Sequence, residues 1–169
     1  RDCAESGRCF WEGMCSLVDG RCAAKTDEDC ASSAVCLAEG RCRAVGGRCV
    51  VGTTAHCKDS WACRVYGLCV ENEGRCVGSD DAGCRASQLC DKDGLCSGGE
   101  EHCVARGDDC EDAVVCTRYG RCIAAHDTCF MAAKNGSCRG FAGSEGKTPC
   151  FDFGECKADG EICVADDAT

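Results

Sequence analysis

The chain has 169 residues, 24 of them cysteine, and a net charge of −10 from 29 acidic against 19 basic side chains. That charge disfavours nucleic acid and anionic membrane as partners, because both are polyanions, and no apolar run approaches the roughly 20 residues that cross a bilayer. Five Phe, two Trp, two Tyr and two Met are too few for one large hydrophobic core, so cross-links must supply much of the stability.

The cysteines fall into six blocks. Repeat 1 (1–28) carries Cys3, Cys9, Cys15 and Cys22, and repeat 2 (29–55) carries Cys30, Cys36, Cys42 and Cys49. Repeat 3 (56–82) has Cys57, Cys63, Cys69 and Cys76, and repeat 4 (83–108) has Cys84, Cys90, Cys96 and Cys103. Repeat 5 (109–136) has Cys110, Cys116, Cys122 and Cys129, and repeat 6 (137–169) has Cys138, Cys150, Cys156 and Cys163. The first four blocks start 27 residues apart, and five blocks keep internal spacings of five, five and six. Self-similarity at a fixed period marks a tandem array, and junctions of six to eight residues imply closely strung modules. Such an array is expected to be extended, whereas a compact globule of this length would have a radius of gyration near 15–16 Å.

The elements recur in the same order within each block. Asp precedes the first cysteine at Asp2, Asp29 and Asp109 and is a favourable N-cap. In repeat 2 the stretch CASSAVCLAE (30–39) reads as one short helix, and Gly40 is placed to end it in the left-handed conformation. A Gly stands two residues before the third cysteine in all six blocks: Gly13, Gly40, Gly67, Gly94, Gly120 and Gly154. The following stretch RCRAVGGRCV (41–50) reads as a β-hairpin with a two-residue turn, which is expected to set Cys42 opposite Cys49. Ser recurs three residues after the first cysteine at Ser6, Ser33, Ser60 and Ser87. It is expected on the helix surface, open to O-glycosylation. Repeat 6 departs from the plan: eleven residues separate its first two cysteines, and it holds the only proline, Pro149. Terminal repeats of arrays are atypical, so this block is expected to be a specialised end, with Phe141, Phe151 and Phe153 near a Gly-rich contact loop.

Four thiols per block could in principle bind zinc. Structural zinc sites bring ligands in close C-x2–4-C pairs, and no C-x-C or C-x2-C occurs here. Disulfides are therefore the reading, all of them within blocks, which places the chain in an oxidising compartment. Four cysteines allow three pairings and spacing does not choose. The pairing expected is first with third and second with fourth, which would tie both helical cysteines to both hairpin arms. The fold class is thus small and disulfide-rich: six modules of about 27 residues, each a short helical turn and a small hairpin held by two bridges.

The pattern DCxxSxxC…GRC…GRC in tandem resembles the cysteine-rich repeats of secreted and surface proteins of social, gliding soil bacteria. More loosely, it is similar to the N-terminal cysteine-rich region of Dickkopf-type secreted proteins. The resemblance covers nearly the whole chain and implies an extracellular or cell-surface location and a non-catalytic role. It carries over no ligand and no site.

Candidate sites are few. The histidines His56, His102 and His126 sit beside no nucleophile pattern, and with the thiols spent in bridges no catalytic residue is assigned. GFAGSEGKT (140–148) misses the phosphate-loop spacing because Phe141 stands where the first Gly is required. Arg106-Gly107-Asp108 reads as part of an acidic junction. The junction carboxylates Asp27, Asp29, Asp80, Asp81, Asp108 and Asp109 are weak calcium candidates, since calcium takes six to eight oxygens, and solubility is the plainer reading. Asn135-Gly136-Ser137 is a glycosylation sequon. Phe10, Trp11, Trp61, Tyr66, Tyr119 and Phe130 are expected mainly to pack between neighbouring blocks.

No cofactor or metal is expected. The chain opens at Arg1 without a leader-like stretch and reads as a mature product or an excerpt. The function expected is that of an extracellular structural or adhesive protein whose partner is a further copy, as in a fibre, or another surface protein or glycan. A secreted module that binds a protein or glycan is the alternative, and a protease-inhibitor or toxin-like protein a weaker one. Equal surface character in every block would favour the structural role. A distinctive patch on some blocks would favour binding.

Overall fold

The computed structural model describes residues 2–132 and 157–164. They form two compact units: one reaches Ser87 and includes Gly98–Cys103, the other comprises Gln88–Ser97 and the described residues from Val104 onward. The fold is small and disulfide-rich, as the cysteine content demands. Blocks one to five each contribute a short helix after the first cysteine and a two-stranded antiparallel hairpin, and block six shows a hairpin among the described residues.

Block one holds α1 (Gly7–Glu12) and strands β1 (Ser16–Val18) and β2 (Arg21–Ala23). Block two begins with α2 (Asp27–Ala31), followed by α3 (Ala34–Glu39), β3 (Arg43–Val45) and β4 (Arg48–Val50). Block three repeats this as α4 (Thr54–Lys58), α5 (Trp61–Tyr66), β5 (Val70–Asn72) and β6 (Arg75–Val77). Block four has α6 (Asp81–Arg85), α7 (Gln88–Asp93) and the shortest strands, β7 (Ser97–Gly98) and β8 (Cys103–Val104). Block five has α8 (Val114–Tyr119), β9 (Ile123–Ala125) and β10 (Thr128–Phe130), and block six shows the hairpin β11 (Lys157–Asp159) and β12 (Ile162–Val164).

The single helix expected over 30–39 is two helices with a break between them. Ser33 causes the break. Its backbone is extended, its hydroxyl accepts from the Cys36 N–H, and the same hydroxyl donates to the Cys30 carbonyl at 2.7 Å. One side chain thus ends α2 and caps α3. Ser60 does the same between α4 and α5. Ser33, Ser60 and Ser87 are each only 1% exposed, so the expected surface site for O-glycosylation is a buried cap in these blocks. Asp29 is likewise not the cap of the helix that follows. It lies in the first turn of α2, where its carboxylate accepts from the N–H groups of Lys25 and Thr26.

At the far end, Gly40 adopts φ +73° and closes α3 with hydrogen bonds from Gly40 N to Cys36 O and from Arg41 N to Val35 O. Only glycine enters this region without strain. The reversal lays Cys42 beside Cys36, with Cα atoms 4.5 Å apart. This geometry overturns the expected pairing. The second cysteine bonds the third in Cys9–Cys15, Cys36–Cys42, Cys63–Cys69, Cys90–Cys96 and Cys116–Cys122. The first bonds the fourth in Cys3–Cys22, Cys30–Cys49, Cys57–Cys76, Cys84–Cys103 and Cys110–Cys129. Cys163 is also disulfide-bonded; Cys138, Cys150, Cys156 and the insertion lie outside the described residues.

The hairpins of blocks one, two, three and five have the two-residue turns read from the sequence, with positive φ at Asp19-Gly20, Gly46-Gly47, Glu73-Gly74 and His126-Asp127, as a turn matching the strand twist requires. The register differs from expectation. Cys49 lies opposite Ala44, not Cys42, and Cys22, Cys76 and Cys129 lie opposite Leu17, Glu71 and Ala124. The third cysteine precedes the strand because it is already committed to its helix.

Burial is local and centred on the first-to-fourth bridges. Ala24, Cys30 and Cys49 form one cluster with Val35 and Ala44 against them, and Ala105, Cys110 and Cys129 form another with Leu95, Val115 and Ala124. Both clusters take residues from two successive blocks. Met131, fully buried, joins Cys163, Tyr119 and Ala158 in a third. Successive hairpins are also tied by backbone hydrogen bonds, Ala24 N to Gly47 O, Gly78 N to Glu101 O and Ala105 N to Asp127 O.

The recurring glycine has a second task at these junctions. A Cβ on Gly13 would stand 2.5 Å from Cys49 Sγ, and one on Gly67 would stand 2.4 Å from Cys103 Sγ. On Gly94 it would meet Cys129 Sγ at 2.5 Å, and on Gly40 the His56 carbonyl oxygen at 2.7 Å and Cys76 Sγ at 3.1 Å. Each glycine therefore seats the first-to-fourth disulfide of the next block. The preceding carbonyls reinforce the contact: Glu39 O, Tyr66 O and Asp93 O lie 3.3, 3.4 and 3.1 Å from Cys76, Cys103 and Cys129 Sγ. A bridged sulfur carries no proton, so these are close S···O approaches and not hydrogen bonds.

Candidate contact face

In the first compact unit the helices after the capping serines lie side by side, α1 against α3 and α3 against α5. Their cysteines and capping residues face inward, which leaves residues flanking the second cysteine on the outside. Phe10 and Trp11 on α1 are 60% and 62% exposed, Leu37 on α3 is 61%, and Trp61 and Tyr66 on α5 are 48% and 43%. The rings pair edge to face, Phe10 with Trp11 at 4.9 Å and Trp61 with Tyr66 at 5.3 Å between centroids. Between the pairs, Phe10, Ala34, Leu37, Ala38, Trp61 and Arg64 line a shallow groove of about 320 Å³.

This placement corrects the expectation that the aromatics pack between blocks. Of those expected to do so, Tyr119 does, against Met131 and Cys163, but the four on α1 and α5 face solvent. Among the described residues the face is not repeated in full: on α8 only Val114, 43% exposed, stands at the position of Trp61. On α7 the same helical positions carry Gln88, Asp91, Lys92 and Asp93. The chain matches no protein-family model, no curated protein and no solved structure.

The junction aspartates serve the scaffold. Asp27 accepts from Ala44 N at 2.8 Å and Asp81 from Gly98 N at 2.8 Å, tying the first helix of a block to its own hairpin. Thr54 holds Glu71 N in the same way at 3.2 Å. Asp29 reaches back to Ser16 Oγ at 2.9 Å, and Asp109 to Ser97 Oγ at 2.7 Å, linking successive blocks. Asp80 caps α6 through Gly83 N, while Asp108 is exposed. Among the described residues no three His, Cys, Asp or Glu side chains gather as metal ligands. Partial burial pushes the Asp29 carboxyl up. The hydrogen bonds from Lys25 N, Ser16 and Thr26 N, with the Lys25 charge, outweigh it and hold the group below its ordinary value. The Ser16–Asp29 and Ser97–Asp109 pairs escaped the sequence reading. Their signal is a Ser directly after a third cysteine matched by an Asp directly before the next first cysteine.

The remaining candidates bring nothing together. His126 lies 4.0 Å from Asp159, both exposed, and against Phe130 edge to face. His56 and His102 belong to junctions, and no described cysteine is a free thiol. Arg106–Asp108 is exposed, with Arg106 N held by Asp109. Asn135, the loop 140–148, Pro149, Phe141, Phe151 and Phe153 lie outside the described residues.

Proposed function

We propose that the chain is a secreted or cell-surface binding module without catalytic activity, in which the stapled repeats form the scaffold and the α1–α3–α5 face receives a protein partner. The observation that carries this is that, among the described residues, the exposed aromatic rings Phe10, Trp11, Trp61 and Tyr66 are confined to the helices of blocks one and three, with the exposed Leu37 of block two between them. A patch needed only for stacking would recur with the repeat. Contiguous apolar surface of this kind marks interaction sites, and its large aromatic anchors are the residue types that dominate interface energy. A protein partner fits better than a glycan, because Leu37, Ala34 and Ala38 make the floor between the rings mainly apolar, with Ser32 and Arg64 the polar groups of the lining. The partner surface is apolar, with an acidic residue to meet Arg64 at the groove edge. The ten described bridges and the resemblance to secreted cysteine-rich repeats support the extracellular placement. No helix among the described residues is long and apolar enough to cross a membrane.

The test is site-directed photocrosslinking on native source material, with benzophenone at Leu37 and, as control, at Lys92. An adduct with one distinct protein from Leu37 only supports the reading. Equal labelling from both sites, or none, overturns it. The structural or adhesive role is the second reading, favoured by the glycine–disulfide contact that recurs from block to block. An adduct between two copies of this chain would establish it instead.

A further inference from the structure

Repeats one and two carry a second surface of opposite character. Arg8, Arg41 and Arg48 line a cleft of about 320 Å³ together with Glu12. A broader trough of about 920 Å³ shares Arg8 and Arg48 with it and runs on to Arg21 and Asp19. Four arginines against Glu12, Asp19 and the Glu39 beside Arg41 leave +1 locally, in a chain whose net charge is −10. Glu12 is already held by Arg8 at 3.2 Å. Arg41 is oriented by its Nε–H donating to Cys49 O at 2.9 Å and has its terminal nitrogen 3.5 Å from Glu39. Arg21 and Arg48 have no ion-pair partner among the described residues.

The repeat itself shows what those two positions take. Arg21, Arg48 and Arg75 each stand directly before the fourth cysteine of their block. Arg75 is met by a carboxylate, Glu101, two residues before the fourth cysteine of the next block. At the register positions that would serve Arg21 and Arg48 in the same way, the chain has Gly47 and Gly74. The carboxylate present once is missing twice, and the two unmatched guanidiniums lie along one trough.

We infer that this trough binds an acidic peptide segment, whose carboxylates take the place at Arg21 and Arg48 that Glu101 takes at Arg75. Guanidinium forks suit carboxylates geometrically. The apolar Met14 and Leu17 in the same trough favour a peptide whose acidic residues alternate with apolar ones. A sulfated glycan is the poorer occupant, because a long polyanion also meets the repulsion of the whole acidic chain, whereas a short peptide senses charges within about 8–10 Å.

The assay is fluorescence anisotropy of the intact, oxidised chain with the labelled peptide Glu-Leu-Glu-Leu-Glu-Leu, its Gln-for-Glu counterpart, and a heparin hexasaccharide. The acidic peptide should bind, weakening with salt, and the Gln peptide should not. Replacing both Arg21→Ala and Arg48→Ala should weaken binding at least about tenfold, two charge-assisted contacts being lost. Arg75→Ala should change it less than about twofold on the same scale. These arginines are exposed, and Arg21→Lys with Arg48→Lys, which keeps the charge, should restore part of the binding. Equal binding of the Gln peptide, an unaffected double variant, or tighter binding of the hexasaccharide would each overturn the assignment.

Discussion

Replacing Gly40 by Ala separates the two tasks given to the recurring glycine. Gly40 has φ +73°, so any side chain there costs the strain of the left-handed region, about 1–2 kcal/mol. Its Cβ would also stand 2.7 Å from the His56 carbonyl oxygen, which belongs to backbone and cannot swing away. Forced overpacking of this kind costs a further 1–3 kcal/mol or about that. Gly74 supplies the control, with φ +81° and nothing within 4 Å of an added Cβ. Gly74→Ala should therefore cost about 1–2 kcal/mol and Gly40→Ala about 2–5 kcal/mol. Hydrogen exchange followed by mass spectrometry reads the difference locally. With Gly40→Ala, protection should fall at the Gly40 and Arg41 amides that close α3 and across α4, while blocks further along keep theirs. Equal costs for the two variants would show that the glycine serves backbone conformation alone and that the seat for the next disulfide is incidental.

Removing the Cys30–Cys49 bridge as paired Ala should cost about 3.2 kcal/mol in the chain-entropy account, and removing Cys36–Cys42 about 2.2, for sequence separations of 19 and 6; denaturant titration of each variant checks the order, and equal costs would refute the pairing described here, because under either other pairing each double variant breaks both bridges of the block. Ser33→Ala should destabilise by about 0.5–2 kcal/mol, and Ala113→Ser, at the one described α-helical start with Ala in the capping place, should stabilise by a similar amount; no gain at Ala113 in thermal melts would refute the capping account. Asp29, held below its ordinary value of about 3.9, contributes stability that is present above that value and lost as pH falls through the lower folded one. Asp29→Asn should therefore be less stable than the parent at neutral pH, and the gap should close below about pH 4; a gap that stays constant down to pH 2 would remove the carboxylate from the explanation.

The cysteines, the glycines and the two-residue turns were legible because each repeats at a fixed offset and each has one physical meaning. The bridging pattern was not. Spacing measures distance along the chain, and the pairing depends on the direction reversal at Gly40, which throws Cys42 back onto Cys36 before the hairpin begins. Ser33 was misread for a related reason. In one continuous helix it would face solvent, and only the break that it creates buries it. The ties from Asp29 to Ser16 and from Asp109 to Ser97 cross a block boundary, so no single repeat displays them. The exposed rings were hidden by a sound prior, that a chain poor in aromatics spends them on packing. Here the disulfides fill the junctions, and that frees the rings for the surface.

The contact between a glycine and the next block's disulfide also bears on how such a chain grows. Both sides of the joint are made from parts that every full block must already have: the glycine that ends its helix and the bridge that closes its hairpin. A duplicated block therefore arrives with a socket on one side and a matching plug on the other, and no compensating substitution is needed at either new seam. Side chains elsewhere are left to diverge, as they have between α3 and α7. Length and surface can then change independently, with 27 residues as the unit of gain or loss.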